Sequence, residues 1–175
     1  SAASDVYKRQ EENVTMLSRV AESLYWMGRY AERAENVARL TNVNANLLLD
    51  LPRGIAPGWA PLVAIMGGQA DYDARYTDYE ERNVVRFLLM DSDNPSSVLS
   101  SLAQARENAR TVRDIMPREA WELINELHHY AREHASSGVS KRGRYKYLQT
   151  VIRAIQSLSG LLLGTMNHGD GYSFL

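Results

Sequence analysis

The 175 residues carry 45% hydrophobic and 23% charged side chains at a net charge of -1, which is apolar enough to build one core and too neutral for a broad nucleic-acid surface. The absence of cysteine excludes disulfides, thiolate zinc sites and cysteine nucleophiles. No apolar run approaches the ~18 residues that cross a bilayer, and the polar start has no secretory pattern, so a cytoplasmic protein is expected.

Residues Ser1 to Thr15 are polar, lack helical apolar spacing and precede Met16. Met16 reads as the natural start, and residues 1–15 as a non-native or disordered leader; a native flexible arm is the alternative. From Leu17 the apolar residues step by three and four through Val20, Leu24, Met27, Ala31, Ala34, Ala38, Thr41, Ala45 and Leu48. That spacing predicts one helix of about thirty residues, on the order of 45 Å long. Ser18 is placed to cap it, and Leu51-Pro-Arg-Gly54 to end it. Pro57, Pro61, Gly67 and Gly68 then punctuate an irregular stretch with short helices expected over 59–66, 69–76 and 80–90.

Asp91-Ser-Asp-Asn-Pro95 reads as a turn that starts a further helix, with Pro95 at its first position. Its seam is Val98, Leu102, Ala105, Ala109, Val112 and Met116. Pro117 restarts the chain as a helix with Glu119 in the first turn and Ala120, Ile124, Leu127 and Ala131 as its seam. Ser136-Ser-Gly-Val-Ser140 is expected to be a loop. The last helix, from about Arg144 to Met166, is apolar on one side through Leu148, Ile152, Ile155, Ser159 and Leu162, and on another through Val151, Leu158 and Leu161. Such a helix needs neighbours on both sides. No strand pattern competes, so the fold class is all-α: a long-helix bundle.

Leu24 to Arg39 carries the densest chemistry. Glu32, Glu35, Asn36 and Arg39 fall at i, i+3, i+4 and i+7 and share a face that borders an alanine seam, with Arg33 beside them. Three readings are open. The face is solvated and laced by pairs such as Glu35 with Arg39, worth ~0.2–0.5 kcal/mol each. Or it is a part-buried ion network whose disruption costs ~3–5 kcal/mol. Or it is a polar site for a ligand or partner. Arg106, Glu107, Asn108 and Arg110 form a faint echo of it, although the surrounding apolar phases do not superimpose.

Glu126 and His129 have the Glu-x-x-His spacing of di-iron bundles, which need that spacing twice and two more glutamates from other helices; no second copy of the spacing occurs in this sequence. They remain weak metal candidates, Glu133 supplies a simple surface partner for His129, and no cofactor is predicted. Lys141-Arg-Gly-Arg-Tyr-Lys146 puts cations at a helix start, where they oppose the dipole. That cluster reads as a solvated loop or a hold for an acidic partner or phosphate. Tyr72, Tyr76 and Tyr79 among Asp71, Asp73, Asp78 and Glu80 either pack the irregular segment or line a cation pocket. His128, His134 and His168 show no triad pattern.

Met16-Leu-Ser-Arg-Val-Ala-Glu-Ser-Leu-Tyr-Trp-Met-Gly-Arg-Tyr-Ala-Glu32-Arg33-Ala-Glu35-Asn36 closely resembles the opening of the bacterial alpha-E family, which takes its name from helical content and a Glu-Arg motif. Arg106 to Glu122 resembles a second signature of that family, and the resemblance covers Met16 to Leu175. Family proteins are about twice this long, so residues 16–175 are expected to be an N-terminal, C-terminally truncated part of a larger helical domain. Gly169 to Leu175 would lead into the next helix. The resemblance implies a helical accessory or scaffold protein, a non-catalytic partner of an ATP-grasp-type amide ligase in a bacterial peptide-modifying or peptide-making system. It also implies a transglutaminase-like protein and a proteasome-like hydrolase as companions. It transfers no catalytic residues. It marks Glu32, Arg33, Glu35 and Asn36, and Arg106, Glu107, Asn108 and Arg110, as motif positions. The alternatives are an enzyme component whose Glu/Arg site binds a carboxylate-bearing substrate, and a metal-binding bundle. Neither a nucleic-acid nor a membrane partner is expected, and the exposed apolar face of a truncated bundle leaves self-association open.

Overall fold

A computed structural model describes residues 2–52 and 58–165, with side chains from residue 16 onward. Among the described residues there are seven helices and no strand: α1 (Ala2–Asp50), α2 (Ala60–Ile65), α3 (Gln69–Asp73), α4 (Glu81–Leu89), α5 (Val98–Thr111), α6 (Arg118–Val139) and α7 (Lys141–Thr165). The four long helices close a ring. α1 packs on α5, α5 on α6, α6 on α7, and α7 returns to α1. The short helices α2 to α4 occupy the connection from α1 to α5.

Small residues set the closest contact. Ala31, Ala34, Ala38 and Thr41 of α1 and Ser101, Ala105 and Ala109 of α5 are all buried, and the α1–α5 pairing is the most extensive in the molecule. The helices run antiparallel. Thr111 Oγ1 donates to Ser23 Oγ at 3.1 Å near one end, and Ala34 and Ala38 share a cluster with Val98 and Leu102 further along. A second cluster joins Met27, Ala105, Ala109, Ile124, Leu158 and Leu162 at the other end of the bundle. The seams expected on α5 and α6 are buried throughout.

Four local expectations are corrected. Ser18 lies inside α1 and caps nothing, because the helix starts at Ala2; Leu17, placed on the seam, is 67% exposed. α5 starts at Val98 rather than at Pro95, with Ser97 Oγ accepting from Ser100 N at 3.1 Å as its cap. The expected loop 136–140 is the last turn of α6, and Ser140 alone separates α6 from α7. The glycines that suggested a loop permit close approach instead. A Cβ on Gly138 would meet the Tyr147 ring at 2.6 Å, and one on Gly143 would meet the Ser137 carbonyl oxygen at 2.7 Å. The neighbours that α7 needs on both apolar sides are supplied within this chain, by α6 and α1; on its described length Tyr145 and Leu163 are the large apolar side chains left exposed. The proposed exit at Arg53-Gly54, the residues from Met166 to Leu175 and His168 lie outside the described residues.

Candidate functional site

The first motif faces away from the core. On α1, Met27, Ala31, Ala34, Val37, Ala38 and Thr41 are buried, while Arg29, Glu32, Asn36 and Arg39 are exposed on the opposite side. Glu32 pairs with Arg29 one turn earlier. Glu35 accepts from Arg39 Nε at 2.8 Å and from Nη2 at 2.6 Å. Every ion pair of the motif therefore joins residues of one helix at the surface, where such pairs contribute ~0.3–0.5 kcal/mol. Arg33 differs. It is half-buried, lies 5.4 Å above the Tyr30 ring, and has no acidic partner among the described residues. Together with Arg29, Asn36, Leu40, Ile65 and Met66 it lines a groove of 510 Å³ between α1 and α2.

The second motif does not join the first. Arg106 Nε donates to Asn125 Oδ1 at 2.7 Å and its guanidinium lies 5.6 Å over Trp121, so it fastens α5 to α6. Glu107 pairs with Arg110 at 2.5 Å on the surface, and Asn108 Nδ2 donates to the Gln104 carbonyl at 2.8 Å. No hydrogen bond or ion pair links the two motifs among the described residues.

Glu126 and His129 gather no third carboxylate or imidazole into a metal-holding group among the described residues. The neighbouring His128 has a buried Nδ1 without a partner. Burial, then the charge of Arg106, hold its pKa below the ordinary histidine value. The tyrosine group packs the irregular segment. Tyr72 stacks between Tyr76 and Tyr79 at 4.6 and 4.7 Å, with Phe87 edge-on at 5.1 Å. Its hydroxyl donates to the Asp78 carbonyl at 2.8 Å; those of Tyr76 and Tyr79 donate to Asp91 at 2.9 Å and Asp73 at 2.5 Å. Of the acids beside these tyrosines in the sequence, Asp71, Asp73, Asp78 and Glu80, Asp73 alone has its carboxylate held by a phenol among the described residues.

The basic turn is the largest departure from expectation. Arg144 is a core residue, its side chain 7% exposed. Its Nη1 donates to Glu81 Oε1 at 2.6 Å, its Nη2 to the Val139 carbonyl at 3.0 Å and its Nε to the Gly138 carbonyl at 3.4 Å. Its guanidinium also lies 5.4 Å over the Trp59 ring. Lys141 Nζ reaches the other Glu81 oxygen at 2.9 Å. A cation at the start of α7 opposes that helix's dipole, but here it neutralises the last carbonyls of α6, where a cation is favoured. Burial alone would raise the Glu81 carboxyl; hydrogen bonds and charge from Lys141 and Arg144 outweigh it and hold the carboxyl below the usual range. Cavities of 610 and 250 Å³ flank this triad. Sequence reasoning missed Glu81 altogether, since its partners lie some sixty residues away. The one available signal was a cation cluster that helix electrostatics could not explain locally.

An all-helical bundle with a surface Glu-Arg motif is the class that fold and motif define. A model of the Alpha-E family, described as a predicted alpha-helical domain with a conserved ER motif, matches residues 16–175. The chain belongs to the Alpha-E family. It is similar to Uncharacterized protein Mb2597 of Mycobacterium bovis and to Uncharacterized protein Rv2567 of Mycobacterium tuberculosis. Each is 30% identical over 176 residues, which covers 90% of this chain and 20% of the relative. The chain thus spans about one fifth of the length of these curated relatives. No solved structure matches it. Among the described residues no helix is long and apolar enough to cross a membrane.

Proposed function

We propose that this chain is a helical accessory module that docks on an ATP-grasp-type amide ligase and helps to organise its substrate. The observation that carries the reading is the placement of the motif. Its residues contribute little to the core, and they share the outer face of α1 with exposed Tyr25, Val43 and Leu47. Polar groups flanked by apolar side chains suit a protein interface, in which a few apolar anchors supply most of the affinity. A transglutaminase-like companion is the second expected partner. Co-purification tests the reading: Val43→Asp with Leu47→Asp is expected to abolish capture of the ligase while leaving thermal melting unchanged. Undiminished capture overturns it.

A second reading is favoured by Arg33, the cation of the first motif with no acidic partner among the described residues. In this reading its guanidinium binds a substrate carboxylate in the α1–α2 groove, with Ile65 and Met66 beneath an apolar part of the substrate. Arg33→Met is then expected to raise the substrate KM of the full-length protein, and an unchanged KM removes this reading.

A further inference from the structure

The Glu81–Lys141–Arg144 triad makes no hydrogen bond or ion pair with the motif among the described residues and is used by neither reading above. Arg144 is framework first: it lines the chamber, but each of its three nitrogens hydrogen-bonds to Glu81 or to the end of α6. Lys141 is different. Its side chain is 81% exposed, and its ammonium spends one hydrogen on Glu81, which leaves two free. Two cations face one carboxylate, so the triad carries one unmatched positive charge.

The 250 Å³ chamber opens beside this charge, between α1, Trp59 and the start of α7. Asn42 and Asn46 line it one helical turn apart. Neither side chain hydrogen-bonds to a described residue. Each offers a carbonyl and an amino group, the complement of a peptide N–H and C=O. Leu48 and Trp59 supply an apolar wall. A chamber of this size lies just below the ~300–1,000 Å³ range of ligand sites, which suits two small residues and not a nucleotide. One excess positive charge balances a carboxylate; a phosphate dianion would leave net negative charge in a half-enclosed place.

We propose that this chamber binds the carboxylate-terminated end of a peptide, with Lys141 on the carboxylate and Asn42 and Asn46 on the peptide groups.

The test is calorimetric titration of the chain with N-acetyl-alanyl-alanine, with its C-terminal amide, and with inorganic phosphate. The acid is expected to bind at least about tenfold more tightly than the amide, because the amide forfeits a charge-assisted hydrogen bond. Lys141→Gln is expected to weaken the acid by about tenfold and leave the amide unchanged. Asn42→Ala with Asn46→Ala is expected to weaken both. Melting curves confirm that each variant is folded, and Lys141 is exposed enough to replace safely. Equal affinity for acid and amide, no effect of Lys141→Gln, tighter binding of phosphate than of the peptide, or no saturable binding by ~20 mM ligand each overturns the proposal.

Discussion

Replacing Arg144 by methionine keeps a long apolar stem against Trp59 and removes the guanidinium. The loss can be worked from its contacts. Three hydrogen bonds disappear, one of them to a carboxylate, and two carbonyls at the end of α6 lose their donors. Breaking a buried pair costs ~3–5 kcal/mol. Glu81 keeps Lys141, and its side chain is 26% exposed, so the lower end applies, about 3 kcal/mol. In a chain of this size that lowers Tm by ~6–12 °C. Arg144→Lys restores charge without the fork and is expected to recover only about 1 kcal/mol. Lys141→Gln acts on the same carboxylate from an exposed position and is expected to cost under ~1 kcal/mol. Urea midpoints of the three variants give the ranking. An Arg144→Met cost under ~1 kcal/mol, or a Lys141→Gln cost equal to it, refutes a role for Arg144 as the interior tie.

The same triad predicts acid sensitivity: a depressed folded pKa gives stability that is complete above the unfolded glutamate value of ~4.3 and is lost as pH falls through the folded value. Glu81→Gln is therefore expected to flatten the fall of the urea midpoint between about pH 5 and about pH 3, and an unchanged slope counts against it. Glu32→Gln and Glu35→Gln are each expected to change stability by less than ~0.5 kcal/mol; a melting drop of many degrees in circular dichroism would mean that the motif is a structural network. Gly138→Ala and Gly143→Ala are expected to destabilise by ~1–3 kcal/mol through overpacking at the α6–α7 turn, and stabilisation by helix propensity would contradict the close contacts. Burial raises the Tyr72 and Tyr147 phenols. Their stabilising effect is full below the unfolded tyrosine value of ~10 and lost as pH climbs above it, so ultraviolet titration should show alkaline unfolding and late tyrosine ionisation together.

The four long helices were legible because each carries a seam with the three-four step, and the seams of α5 and α6 are buried as that step requires. Short-range signals misled where tertiary contact decided. Gly138 reads as a loop residue in isolation, yet Tyr147, nine positions on, needs its missing side chain. Ser97 and Asn94 compete with Pro95 to start α5; Asn94 instead donates through Nδ2 to the Phe87 carbonyl at 2.9 Å, and its Oδ1 accepts from Ser96 N at 3.0 Å, which extends the turn. The motif pair Glu35–Arg39 is a local spacing and was readable. Arg144 with Glu81 is not local, and no window of sequence contains both.

The position of the motif has a mechanical consequence. Residues whose partners lie on their own helix can be changed without moving a neighbouring helix, because the α1–α5 contact rests on alanines and not on Glu32 or Glu35. On the proposed docking reading, stability and recognition are carried by opposite faces of α1, and the two are expected to be separable by mutation. Asn36→Arg, on the outer face, is expected to leave melting unchanged and to weaken partner capture by adding bulk and charge at the centre of the strip. Ala34→Leu, on the inner face, is expected to do the reverse in order: it forces α1 from α5 at ~1–3 kcal/mol and affects capture only as far as the fold loosens. If Asn36→Arg lowers melting as much as Ala34→Leu, the two faces are not independent and α1 does not work as a two-sided rod.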